Sequence, residues 1–259
     1  MVQSKHPKFN VGDAVVGMGG WQQFSVVDGN APGMLRKVDT THVPISHYLG
    51  AVGMPGVTAW YGLVKIIAPK AGETVTVSAA SGAVGSAYGA LAKARGCRVV
   101  GIAGGKAKCD FVVNDLKFDA CIDYKSGSVR EGLKQHCPKG VDVYFDNVGG
   151  DILDAVFKQM NLKGRIPTCG LISQYNATSE PPGPKNYPMI LMQRLKVQGF
   201  IVLDYADRYP EAIAALGGWM REGKLKYRID LHEGLENAVK TVRMLYTGEN
   251  TGKLMLKVT

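Results

Sequence analysis

Hydrophobic and polar positions change rhythm twice along this chain. Residues 1–48 mix short apolar runs with turn signals. Residues 9–16 (FNVGDAVV) are apolar around a Gly-Asp turn, and residues 24–27 follow a Gly-Gly-Trp break. Glycine, proline and aspartate punctuate the stretch, which predicts a small β-rich element rather than a helical one.

The texture then becomes that of alternating strands and helices. Residues 74–78 (TVTVS) predict a strand. Residues 83–95 (AVGSAYGALAKAR) predict a helix with small residues on its sheet-packing face. Strands follow at 98–103 (RVVGIA), 120–124 and 141–145 (VDVYF). A helix with apolar residues at helical spacing is expected at 151–160, with further strands at 165–172 and 195–202. Such alternation implies a parallel sheet covered on both faces, hence an α/β fold with a doubly wound Rossmann sheet. The last part returns to a different pattern, with helices predicted at 209–222 and 235–246 and a strand at 253–258. Residues 180–185 (EPPGPK) are a loop by composition, and no internal repeat is present.

The central chemical signal lies between the strand at 74–78 and the helix after it. The run Ala80-Ser81-Gly82-Ala83-Val84-Gly85 is a G-x-G-x-x-G fingerprint with alanine for its first glycine. Gly82 would let the backbone approach a pyrophosphate, and Gly85 would let the helix sit close to the strand. The helix N-terminus, with Ala83 and Val84, would offer free N–H groups and partial positive charge. A tight turn with no ligand is the competing explanation, and the strand–turn–helix–strand context weakens it. At the end of the next strand, NAD sites carry an acid for the ribose hydroxyls. Here the sequence reads Ala103-Gly104-Gly105-Lys106-Ala107-Lys108, with no acid and two lysines. A carboxylate repels a 2′-phosphate and a lysine attracts it, so NADPH is favoured over NADH. A solvated loop is the ordinary fate of such lysines. A Tyr-x-x-x-Lys at Tyr61 to Lys65 precedes the glycine turn and is read as chance.

Bulk properties narrow the classes. The net charge of +9 comes from 31 Lys and Arg against 22 Asp and Glu, but the basic residues are scattered. Without a basic block or basic–aromatic interleaving, nucleic acid is not the expected partner, and an anionic cofactor explains the balance as well. No apolar run approaches the ~20 residues of a membrane helix, and the polar start has no signal-peptide core. No membrane partner and a cytoplasmic location are therefore expected. The cysteines, five in number, form no C-x-x-C pair, and the histidines are dispersed, so no metal site is expected.

These residues carry a resemblance. GMPGVTAWYGL, AGETVTVSAASGAVGS, GCRVVGIAGG, VDVYFDNVGGDILDAV, CGLISQYN, RLKVQGFIV and GENTGK, in that order, resemble the zinc-independent medium-chain reductases. Within them the chain is most like the NADPH-dependent 2-alkenal, curcumin and prostaglandin 15-oxo reductases. The resemblance implies a GroES-like β-rich catalytic domain beside the Rossmann sheet. Most of it would precede residue 1, so the chain is expected to lack that part. The implied organisation is a remnant of the catalytic domain at 1–48, the NADPH-binding domain at 49–205 and a C-terminal segment at 206–259. Gly82, Ala83, Val84 and Gly85 would cradle the pyrophosphate. Lys108 would meet the 2′-phosphate beside Tyr124. Asn147 would contact the cofactor, and Asn250 would reach back to it. Cys169, Gly170, Leu171, Ile172, Ser173, Gln174 and Tyr175 would run along the nicotinamide half, with Phe200, Ile201 and Val202 lining it through backbone groups. Zinc-dependent relatives place a cysteine ligand near Gly53-Met54-Pro55-Gly56, where this chain has none.

The implied reaction reduces a C=C bond conjugated to a carbonyl, with a small unsaturated ketone or aldehyde as substrate. Negative charge builds on the carbonyl oxygen, and a site without metal must meet it with hydrogen-bond donors. Tyr175 is the catalytic candidate, because a phenol donates at neutral pH; the cofactor ribose hydroxyl is the other donor. A structural loop aromatic is the alternative for Tyr175. A quinone reductase of the same superfamily and an inactive NADPH-binding protein remain open as functions. Pairing through an apolar edge strand at 195–202 would give a homodimer, again on resemblance.

Overall fold

The computed structural model describes residues 1–31 and 35–259. Two short strands, β1 (Val15–Gly17) and β2 (Leu35–Lys37), pair antiparallel. Helix α1 (Met54–Tyr61) runs on into a wider helical turn, Gly62–Ile67. An alternating series follows: β3 (Thr74–Ser78), α2 (Ala83–Ala94), β4 (Arg98–Ala103), α3 (Lys106–Asn114), β5 (Ala120–Asp123) and α4 (Val129–His136). It continues through β6 (Val141–Phe145), α5 (Gly150–Phe157), β7 (Met160–Thr168), α6 (Met189–Met192) and β8 (Lys196–Gly199). Helix α7 (Tyr209–Arg221), strand β9 (Ile229–Glu233), helix α8 (Ala238–Thr247) and strand β10 (Lys253–Lys257) close the chain.

Six strands form one parallel sheet in the order β5-β4-β3-β6-β7-β8. This is the doubly wound Rossmann order. The winding reverses between β3 and β6, so a crevice opens at their carboxyl ends. Strand β3 is buried along its whole length and β4 at all but its first residue, as expected of strands covered on both faces. One apolar cluster joins Val75, Val77, Val99, Val143 and Phe145 to α1, α2 and α7. A second joins Val100, Ile102, Ile122, Tyr144 and Ile166 to Leu133 of α4 and Val156 of α5. Neighbouring residues such as Val99 and Val100 fall in different clusters, which is the period-two alternation of a strand between two layers. Strands β9 and β10 make a separate parallel pair.

The predicted strands at 74–78, 98–103 and 141–145 are observed with those bounds. Other expectations shift. Residues 24–27 are irregular, and Phe24 and Val26 are exposed with no partner strand among the described residues. The apolar run at 9–16 turns at Gly12 and Asp13, where the Asp13 N–H donates to the Asn10 carbonyl, and the strand that follows is Val15–Gly17. Helix α5 stops at Phe157, and Met160 already opens β7, which ends at Thr168 rather than at 172. Residues 169–172 instead bond to the end of β6, as described below. The strand expected at 195–202 is observed at Lys196–Gly199; Ile201 is extended, and Val202 begins a short helical turn to Arg208. Strand β8 is the sheet's edge.

Candidate functional site

Strand β3 leads into a turn whose shape depends on missing side chains. Ala79 takes a left-handed φ of 48°, and the Gly82 N–H donates to the Ala79 carbonyl at 2.9 Å. A Cβ on Gly85 would lie 2.3 Å from that same carbonyl oxygen, so only glycine lets α2 start so near the strand. Gly82 caps α2 without a side-chain hydrogen bond, and the first turn of α2 carries no acid. Its N–H groups and helix dipole therefore remain available to an anion. The C-terminal segment folds back here. Gly252 pairs with Gly82, its N–H donating to the Ser81 carbonyl at 3.0 Å, which sets Asn250 beside the turn. The Asn250 amide donates to the Gly252 carbonyl at 3.2 Å.

The end of β4 separates the two lysines. Lys106 is exposed and paired with Asp110 at 2.6 Å, one helical turn on. Lys108 turns inward and donates to the Gly248 carbonyl at 2.7 Å. Burial lowers the pKa of Lys108, the charge of Lys125 lowers it further, and Asp230 opposes both. The Tyr124 ring lies against Gly104, where a Cβ would come within 2.7 Å of it. The acid that sequence spacing did not reveal is Asp123. It ends β5 directly beside Ala103 of β4, and its Oδ1 accepts the N–H of Gly105 at 2.7 Å and of Lys125 at 3.0 Å. Those backbone donors, Gly105 foremost, hold its carboxyl below the usual range. The pocket is thus not free of acid, as the second strand alone suggests; its carboxylate comes from the third strand and is committed to backbone.

The carboxyl end of β6 carries the third component. Asp146 is fully buried, and its Oδ1 accepts from the Tyr144 hydroxyl at 2.8 Å, Val148 N–H at 3.0 Å and Gly149 N–H at 2.9 Å. Its Oδ2 has no partner, and burial pushes its pKa up against those donors. Asn147 spans the crevice. Its N–H donates to the Ser78 hydroxyl at 2.9 Å and its amide to the Ser78 carbonyl at 2.8 Å.

The 169–175 loop is laid along this turn. Cys169 and Gly170 donate to the Asp146 carbonyl, Ile172 to that of Asn147, and Ser173 to that of Val148, twice. The Tyr175 hydroxyl accepts the Leu171 N–H at 3.1 Å, and its side chain is 61% exposed. Its own hydrogen is therefore not spent on that contact. Burial pushes the Cys169 thiol up to about 12, so it is no nucleophile at neutral pH. The Phe200 and Val202 side chains belong to the core, and only Ile201 presents its side chain outward.

The sequence-derived residues therefore group at one end of the sheet. The glycine turn, Asn147, the 169–175 loop and Asn250 lie at the β3–β6 switch point, while Lys108 and Tyr124 flank the β4–β5 end. A glycine turn with an uncapped helix, a half-buried lysine at the neighbouring strand ends and a loop along the switch point define a dinucleotide-binding oxidoreductase fold.

Residues 83–217 match the protein-family profile described as "Zinc-binding dehydrogenase". The chain is 44% identical over 263 residues to the NADPH-dependent curcumin reductase of Escherichia coli, covering all of this chain and 75% of that protein. It is 42% identical over 259 residues to the 2-alkenal reductase (NADP(+)-dependent) of Nicotiana tabacum, with the same coverage of each. The solved structure of CurA in complex with NADPH from Vibrio vulnificus superposes with a TM-score of 0.92 at 45% identity, over all of this chain and 77% of that one. The chain belongs to the medium-chain dehydrogenase/reductase superfamily, within the family of NADPH-dependent curcumin, alkenal and prostaglandin reductases. The profile's description names zinc, yet among the described residues no group of three or more His, Cys, Asp or Glu could hold a metal ion. No described helix is long and apolar enough to cross a membrane.

Proposed function

We propose that the chain binds NADPH across the β3–β6 crevice and reduces the C=C bond of small α,β-unsaturated ketones or aldehydes, acting in the cytoplasm. The observation that carries this reading is the 169–175 loop, hydrogen-bonded along residues 146–148 beside the glycine turn. Bound there, NADPH would supply the hydride that ends on the substrate β-carbon. Gly82, Ala83, Val84 and Gly85 offer N–H groups to the pyrophosphate, and Asn250 closes over that turn. Lys108 and Tyr124 receive the 2′-phosphate. Asn147 and residues 169–175, with the backbone of 200–202, form the wall of the nicotinamide half. Tyr175 holds its hydroxyl proton at the mouth of the loop, where it can donate to a carbonyl oxygen gaining negative charge. Its phenol is exposed and anchored by Leu171, which supports a donor whose position is set by its own loop.

The test follows NADPH oxidation over a panel of a small 2-alkenal, an enone, a saturated aldehyde and a benzoquinone. Turnover of the first two, with a much lower rate on the saturated aldehyde, is the expected result. Turnover of the quinone alone would replace this reading by quinone reduction, and NADPH binding with no turnover of any would leave a binding protein.

The edge of the sheet supports a homodimer. Val197 on β8 is exposed, and in the segment just before β8 Tyr187, Pro188, Ile190, Leu191 and Arg194 line an open groove of about 580 Å³. An unpaired edge beside apolar side chains favours pairing with a second copy. Light scattering should give twice the chain mass; a monomer at micromolar concentration would reject the pairing.

A further inference from the structure

Beyond Lys106 and Lys108, a third lysine lies near the end of β4 that the sequence pattern did not single out. Lys125 lies in the turn after β5, is exposed, and makes no ion pair among the described residues. Its backbone N–H shares one oxygen of Asp123 with the N–H of Gly105, at 3.0 and 2.7 Å. Gly105 sits at φ +96°, a conformation that glycine adopts freely, and immediately precedes α3. The shared oxygen therefore ties the segment that launches Lys108 to the segment that launches Lys125. Lys108 is braced from a third side by the Gly248 carbonyl.

We propose that Lys125 is a second cation of the 2′-phosphate pocket and a determinant of NADPH specificity, and that Asp123 is the positioning residue that sets Lys125 and Lys108 on two sides of it. This rests on the NADPH reading above. The charge of Lys125 lowers the pKa of Lys108, and two like charges on segments tied together gain from an anion placed between them. A phosphate dianion meets that need, whereas a bare ribose hydroxyl does not. The Asp123 carboxylate by itself repels a phosphate, so its contribution is geometric. Its negative charge is spread over two backbone donors, and the geometry it enforces outweighs its own repulsion.

Charge and geometry make opposite predictions for Asp123, and that separates them. Calorimetric titrations of wild type, Lys125→Met, Asp123→Ala and Asp123→Asn would use four ligands: NADPH, NADH, adenosine 2′,5′-bisphosphate and AMP. Lys125→Met should weaken the two ligands bearing a 2′-phosphate about fivefold and leave NADH and AMP unchanged. Asp123→Ala should weaken the same two although both lysines remain, and Asp123→Asn, which keeps an acceptor oxygen, should recover most of the loss. An unchanged NADPH-to-NADH affinity ratio in Lys125→Met overturns the role of Lys125. Tighter phosphate binding by Asp123→Ala overturns the positioning role. If wild type prefers neither NADPH nor the bisphosphate, the cofactor reading itself fails. If wild type prefers them and all three variants keep that preference, only this inference fails. Lys125 is a surface residue, so its variant tests the proposal even where an Asp123 variant folds poorly.

Discussion

The two sides of the crevice are built by opposite means. On the β3 side, the turn from Ala79 to Gly85 is shaped by absent side chains: backbone meets backbone, and the helix end is left uncapped. On the β6 side, the turn and the loop it carries are held by polar groups. One buried carboxylate gathers three donors, and a phenol braces Leu171. The first construction suits a ligand part that never changes, a pyrophosphate that needs close approach and positive potential. The second suits a reacting end, where side chains must be placed and a donor kept free. The first side should therefore fail abruptly when atoms are added, and the second in a graded way when polar atoms are removed.

The largest expected effect comes from adding atoms at Gly85. A valine there would drive its Cβ onto the Ala79 carbonyl, so strand and helix must separate. A loss of about 3 kcal/mol in stability is expected, with NADPH binding abolished. Gly82→Ala is the informative partner. Its Cβ would lie 3.1 Å from the same oxygen, a contact that a few tenths of an ångström relieve. It should keep most of its stability and yet bind NADPH poorly if the proposed pyrophosphate site is right, because the methyl group would stand in the way of the phosphate. Denaturant melts and calorimetry on the two variants check the pair. Equal stability of wild type and Gly85→Val would undo the account of this side.

Removing one polar atom on the other side should cost less in folding and more selectively in rate. Tyr175→Phe is expected to lower kcat about a hundredfold, the loss seen when one donor to a developing oxyanion is removed, while the KM for NADPH stays nearly constant. Steady-state kinetics with an enone decide it. A raised KM for NADPH with unchanged kcat would instead make Tyr175 a brace for Leu171 and nothing more.

The same contrast explains what could be read from the sequence. Strands β3, β4 and β6 and helix α2 were legible because β-branched and apolar runs alternate there with a helical run across glycine-containing turns. No helix was read at α1, whose Gly53, Pro55, Gly56 and Gly62 are unfavourable to helix by composition. In the fold, Gly53 and Gly56 are demanded by close approach: added Cβ atoms would press into the carbonyls of Tyr48 and Ala51. Helix α3 read as a lysine-bearing loop because its first turn is polar; only Phe111 and Val112 are buried. The end of 165–172 read as strand because its residues are apolar, yet their hydrogen bonds go to the β6 turn. Asp123 escaped notice for a topological reason. It lies beside Ala103 only through the register of β4 on β5, which spacing within one strand cannot reveal.

The smallest effect tests the carboxylate on which the β6 side rests. Burial raises the pKa of Asp146 above the ordinary carboxylate value, and the N–H groups of Gly149 and Val148 and the Tyr144 hydroxyl only partly offset this. The folded chain thus holds that proton more tightly than the unfolded chain does. Its contribution to stability is full below the unfolded value, near 4, and is lost as pH rises through the higher folded value. Asp146→Asn is neutral at every pH and keeps one oxygen for the same donors, so it should remove this slope. Relative to wild type, its melting temperature should climb on the order of 2 °C from pH 4 to pH 7. A difference that stays flat over that range would mean that Asp146 is charged throughout. The turn would then be held by an anion, and the graded failure expected of the β6 side would have to be replaced by an abrupt one.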